Sequence, residues 1–116
     1  MISIGKSKTA NVLVSGFLSL ECLTEIQKHV KVNVVADFVK SSKCAKTIPE
    51  SNWKIDREGS FFSFCHNETV NGILLDFANF PFHLVPKDMP ICVDMTSSIG
   101  TCDVPWDKLG VVYMSA

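Results

Sequence analysis

Asn11-Val-Leu-Val-Ser15, closed by Gly16, is the stretch that decides the fold. Its centre is apolar and β-branched and a glycine stops it, which is the pattern of a buried strand. Ser19 is placed to cap a helix running to about His29. Along that helix Leu20, Leu23 and Ile26, followed by Val30, recur every three or four residues and define one buried face. Val32 to Val35 reads as a second buried strand. Strand, helix, strand at this spacing is a βαβ unit, so the two strands are parallel and the helix lies across the sheet. The expected class is α/β with a mostly parallel sheet.

Outward from this unit the pattern continues. Residues 37–59 are polar and irregular, and Trp53 is expected to pin this long loop to the core. Phe61-Phe-Ser-Phe-Cys65 is a third strand, and Ile73-Leu-Leu75 a short fourth. Pro81 and Pro86 break the segment that follows. Ile91-Cys-Val93 is a continuous apolar run ending in Asp94. Val111 to Met114 is the final strand, within a stretch from Leu109 to Ala116 that reads as buried. There is no internal repeat and no low-complexity tract.

Composition sets the outer bounds. The 116 residues suffice for one domain or part of one. With 47% hydrophobic and 20% charged residues the chain is a globular type, not a disordered one. The formal net charge is −1 and the lysines are scattered, which argues against a nucleic-acid partner. A mean hydropathy of +0.22 is high for a small soluble domain and suggests apolar surface that packs against further chain. The five cysteines, Cys22, Cys44, Cys65, Cys92 and Cys102, are odd in number and irregularly spaced. No CxxC or CxxH pair supports a zinc site, and a reduced, cytoplasmic setting is expected over a disulfide framework. Lys6, Lys8 and the apolar run from Val12 to Leu20 resemble a signal peptide. The run is short, holds Ser15, Gly16 and Ser19, and is followed by Glu21, so a strand and a helix start are the preferred reading. No apolar stretch approaches the ~20 residues that span a bilayer, so no membrane partner is expected.

In open α/β sheets ligands bind beyond the carboxyl ends of the strands. Two polar signals sit at such ends: His66-Asn67-Glu68-Thr69 and Asp94. An aspartate closing a buried strand needs a partner. Asp94 could pair with a protonated ring nitrogen of a ligand, or it could cap the Met95-Thr96-Ser97-Ser98 turn. Thr69 could offer a hydroxyl to a ligand, while Asn67-Glu-Thr69 is also a glycosylation triplet and a turn cap. Cys65 and His66 are adjacent on a strand, point to opposite faces and make poor partners for nucleophilic catalysis. His29 suits the C-terminal end of a helix dipole, Glu21 and Glu25 a solvated helix face, and His83 receives no role. No phosphate-cradling glycine motif and no Gly-x-Ser-x-Gly occurs.

Five segments in order carry a resemblance: Ala10 to Gly16, Ile48 to Trp53, Asn67-Glu-Thr-Val-Asn-Gly72, Cys92-Val-Asp-Met-Thr-Ser-Ser98 and Val104 to Tyr113. Together they resemble phosphoserine aminotransferase, a class-V, fold-type-I family dependent on pyridoxal 5′-phosphate (PLP). The resemblance implies a part of the three-layer αβα large domain, incomplete at both ends, with residues 1–116 forming a partial PLP-binding domain. It implies transamination of 3-phosphohydroxypyruvate with glutamate to phosphoserine and 2-oxoglutarate in serine biosynthesis. It also implies a cytoplasmic homodimer. By motif, Thr69 corresponds to the threonine near the cofactor's phenolic oxygen, and Asp94 to the aspartate paired with the pyridinium nitrogen.

The chain also departs from the family. Where the family has Gly-x-Trp-Ser, with the tryptophan stacked on the cofactor, this chain has Gly16-Phe17-Leu18-Ser19 and so Leu18 at that position. The resemblance puts the Schiff-base lysine just beyond Ala116, so no catalytic residue is assigned within the chain. The expectation is a polypeptide inactive by itself. The alternative is a non-catalytic relative that binds PLP weakly or pairs with a full-length subunit. A secreted glycoprotein using Asn67 is a third reading.

Overall fold

The computed structural model describes residues 7–40 and 50–115. Lys6, Cys44 and the stretch 41–49 of the long loop lie outside the described residues. Strands β1 (Thr9–Val14), β2 (Lys31–Asp37), β3 (Phe61–Cys65), β6 (Ile91–Asp94) and β7 (Val111–Tyr113) form a five-stranded sheet. Its order is β2-β1-β3-β6-β7, and every pairing is parallel. Helix α1 (Phe17–Ile26) connects β1 to β2. Thus Val12 to Leu20 is the end of a buried strand and the first turn of a helix.

The pleat of β1 sorts the core into two halves. Ala10, Val12 and Val14 face α1, where Leu20, Leu23 and Ile26 pack on them with Val30. Leu13 faces the opposite side with Phe62, Phe64, Ile91 and Val93. Among the described residues that second face is covered by loop chain and a short 3-10 turn, Phe82–Leu84, with no α-helix. Phe80 stacks on Phe64 at 4.2 Å between ring centroids. Trp53 packs on Phe62 at 6.3 Å and on Phe80 at 5.9 Å, so it does anchor the loop. The fold is therefore α/β and parallel as expected, with helix on one face and an aromatic layer on the other.

Several local expectations shift. The helix begins at Phe17, with Gly16 as its N-cap and Ser19 as its third residue, and it ends at Ile26. The Ser19 hydroxyl instead reaches back, accepting from the N–H groups of Ser15 (2.9 Å) and Gly16 (3.1 Å). β2 and β7 are the edge strands, so they are half-exposed and not buried: in β2 only Val35 is buried, and Val111 and Tyr113 in β7 are exposed. Ile73 and Leu74 form β5, which does not join the sheet. It pairs antiparallel with β4 (Asn67–Glu68), a strand too short to see in the sequence.

Candidate functional site

The chain runs from β1 to β2 on one side and returns to β3 on the other, so the order of connection reverses between β1 and β3. A crevice opens beyond the carboxyl ends of strands at such a point. Register then selects its floor. Cys65 pairs with Asp94, and Asp94 with Tyr113, so three side chains lie in a row on the face beneath α1. The helix supplies the roof with Leu18, Ser19 and Cys22. The cleft holds about 230 Å³ including its open mouth.

Asp94 is half-buried. Its Oδ1 accepts from the backbone N–H of Thr96 at 2.9 Å and from the Thr96 hydroxyl at 2.6 Å. The turn-capping reading is thus correct for one oxygen. Oδ2 takes no hydrogen bond among the described residues, and Asp94 lines the cleft. Thr96 Oγ1 in turn accepts from Ser115 N–H at 3.2 Å, tying the end of β7 to the aspartate turn.

Two carboxylates act on the thiols of the cleft. Burial pushes the Cys65 thiol up to about 12, and the carboxylates of Glu68 and Asp94 add to the rise. The same two carboxylates add to the burial that raises Cys22, whose sulfur lies 3.8 Å from the Tyr113 hydroxyl. Cys92 is pushed up to about 11, chiefly by burial. These thiols are neutral at physiological pH and are not activated nucleophiles. A cleft lined by one carboxylate, Asp94, and by neutral thiols suits a ligand group that carries positive charge.

Leu18 lines the cleft, whereas Phe17 is 47% exposed and does not. Thr69 is exposed on the turn between β4 and β5 and is not part of the lining. The structure thus brings Leu18 and Asp94 together and leaves Thr69 at the side. Cys65 and His66 do face opposite ways. His66 stacks on Phe77 at 4.2 Å, and its Nδ1 lies 2.7 Å from Ser98 Oγ. The side-chain amide of Asn67 donates to Ser97 Oγ at 3.0 Å, so the glycosylation triplet is tied into the aspartate turn.

Sequence reasoning missed Glu68. Its side chain is fully buried and accepts from Ser15 Oγ (3.1 Å), Leu18 N–H (2.9 Å) and Ser19 N–H (3.0 Å). One signal could have found it: α1 has no acidic residue in its own first turn, so its free N–H groups need an acceptor from elsewhere. Among the described residues no cluster of three or more His, Cys, Asp or Glu is arranged to hold a metal ion, and no helix is long and apolar enough to cross a membrane.

Comparison with known proteins gives this geometry a context. No protein-family model matches the chain. A phosphoserine aminotransferase from Ruthia magnifica subsp. Calyptogena magnifica is 35% identical over 113 residues, covering 97% of this chain. The chain is homologous to a segment of the phosphoserine aminotransferases. The Drosophila melanogaster phosphoserine aminotransferase is 32% identical over the same length. In both cases the match spans 29% of the relative, so the chain covers under a third of the curated relatives it resembles. Among solved structures, PLP-bound phosphoserine aminotransferase from Trichomonas vaginalis matches with a TM-score of 0.75 at 26% identity, over 95% of this chain and 30% of that one. Phosphoserine aminotransferase from Bacillus circulans subsp. alkalophilus shares the fold, with a TM-score of 0.76 at 21% identity over 94% of this chain and 28% of that one.

Proposed function

We propose that this chain forms the ring-facing part of a PLP site in a phosphoserine aminotransferase. The parent reaction would exchange the amino group of glutamate with 3-phosphohydroxypyruvate, in a cytoplasmic homodimer. The observation that carries the reading is Asp94, half-buried at the end of β6 and lining a cleft roofed by Leu18, with Oδ1 held by Thr96 and Oδ2 without a hydrogen bond among the described residues. That donor set fits a protonated heteroaromatic ring. When bound, PLP supplies an electron sink for proton transfer at an α-carbon. In this reading the chain's own residues prepare that chemistry. Asp94 holds a proton on the ring nitrogen, Thr96 fixes the carboxylate's orientation, and Leu18 covers one ring face and excludes water. The Thr69 hydroxyl is proposed to reach the phenolic oxygen. The resemblance assigns the Schiff-base lysine to none of residues 1–116, so the contribution proposed for these residues is non-covalent contact with PLP.

The test is a titration of the chain with PLP, read by absorbance and fluorescence, together with Asp94→Asn. Saturable binding weakened about tenfold or more by the substitution is expected, since a charge-assisted hydrogen bond is worth roughly 1.5–3 kcal/mol. Equal affinity of the two proteins, or no saturation, would sink the reading. Leu18 favours a second reading, a non-catalytic relative that pairs with a full-length subunit. Leucine covers a ring by dispersion but offers no stacking. Co-purification with a full-length phosphoserine aminotransferase would separate the two.

A further inference from the structure

The N-terminus of a helix that follows the first strand of a parallel sheet is a ready seat for an anion, because its N–H groups are free and its dipole end is positive. In this chain the seat is taken by the protein itself. Glu68 Oε1 accepts from Ser15 Oγ and Ser19 N–H, and Oε2 accepts from Leu18 N–H. Beside it, Asn71 Oδ1 accepts from Phe17 N–H at 2.7 Å. The first three N–H groups of α1 are thus all held by one short turn of chain about fifty residues away. That turn is closed on itself, since Gly72 N–H donates to the Glu68 carbonyl at 2.8 Å with Gly72 in the left-handed region at φ 66°.

The geometry points to Glu68 as a positioning residue of the cleft, resting on the cofactor reading above: it locks the helix turn bearing Leu18 to the turn bearing Thr69, and it reserves the α1 N-terminus so that a ligand's phosphate binds elsewhere. Leu18 and Thr69 neighbour the two clamped positions directly, one through its own N–H and the other through the peptide bond to Glu68. A shift of either turn therefore moves Leu18 in the cleft lining and Thr69 outside it together. Gly16 belongs to the same arrangement. A Cβ there would come within 2.5 Å of Asn71 Oδ1 and 2.8 Å of Glu68 Cδ, so the approach is possible only without a side chain.

The experiment compares the full chain with Glu68→Gln, using PLP and its dephosphorylated counterpart pyridoxal as two probes. Glutamine keeps the shape but turns an amide donor toward the Leu18 N–H. Both probes are expected to weaken by the same factor, about tenfold, as the ring walls loosen. If the α1 N-terminus were instead the seat of the phosphate, removing the carboxylate charge would tighten PLP relative to pyridoxal, and that result overturns the proposal. Unchanged affinity for both probes overturns it too. Amide hydrogen exchange gives a readout that needs no ligand. The amides of Leu18 and Ser19 on the helix side and that of Gly72, which donates to the Glu68 carbonyl, on the turn side are expected to lose protection together, with β1 and β3 unchanged. Loss on one side alone counts against the clamp. Absence of binding by the unsubstituted chain would defeat the cofactor reading and leave exchange to decide the clamp. Should Glu68→Gln fail to fold, Asn71→Ala carries the exchange test through the Phe17 and Gly72 amides.

Discussion

A carboxylate can cap a turn and still serve a ligand, provided its two oxygens face different ways. Asp94 has one oxygen so engaged: Thr96 holds Oδ1, Oδ2 takes no hydrogen bond among the described residues, and the residue lines the cleft. His66, one residue past β3, is used in the opposite manner. It is buried between Phe77 and Ser98, so it is built into the structure as a neutral ring. Burial lowers its proton affinity from the ordinary value of 6.5, and nearby Asp76 only partly offsets this. The unfolded chain therefore takes up this proton at higher pH than the folded one. The stability tied to neutral His66 is complete above about 6.5 and is lost as pH falls toward the lowered folded value. Urea unfolding at pH 7.5 and 5.5 should show a smaller drop for His66→Phe, which keeps the stack but cannot be protonated. An equal drop in both proteins would show that His66 titrates freely.

Helix α1 shows why element boundaries escape local reading. Its sequence offers Ser19 as a cap, yet the helix starts three residues earlier because the acceptors for its first N–H groups come from Glu68 at the end of β4 and Asn71 in the turn after it. The apolar face of Leu20, Leu23 and Ile26 was legible, since its spacing depends on helix periodicity alone. The turn after β4 was not, because its two-residue strands carry no periodic signal. Gly16 sits where the two elements meet. Gly16→Ala forces Asn71 and Glu68 away from the helix start, and a cost of about 1–3 kcal/mol is expected, of the order seen for overpacked cores. Thermal unfolding of the two proteins measures it. A cost near zero would mean that the turn yields freely.

At the scale of the molecule, the sheet is well covered at its centre and less so at its margins. β2 and β7 end the strand order, and Val34, Val111 and Tyr113 on them are each more than a third exposed. A strand edge with apolar side chains invites pairing with another chain. The 116-residue polypeptide is therefore expected to self-associate as concentration rises. Val111→Lys should reduce this, because a charged edge resists strand pairing. Sedimentation at two concentrations tests the point, and equal association of both proteins would place the contact elsewhere. The high mean hydropathy agrees with this exposure.

Periodicity and composition were enough to establish the βαβ start, the parallel sheet and the strands ending at Cys65 and near Asp94. These depend on short-range patterns of apolar residues and on the rule that a helix connects parallel neighbours. The polar signals at strand ends were also legible as candidates, Asp94 and the segment around Thr69 among them. Which strands lie at the edge, which oxygen of Asp94 is held by Thr96, and which carboxylate fills the α1 N-terminus were decided only by tertiary structure. Each depends on register and on contacts between residues as much as fifty positions apart, and a buried acceptor such as Glu68 leaves no mark in its own neighbourhood.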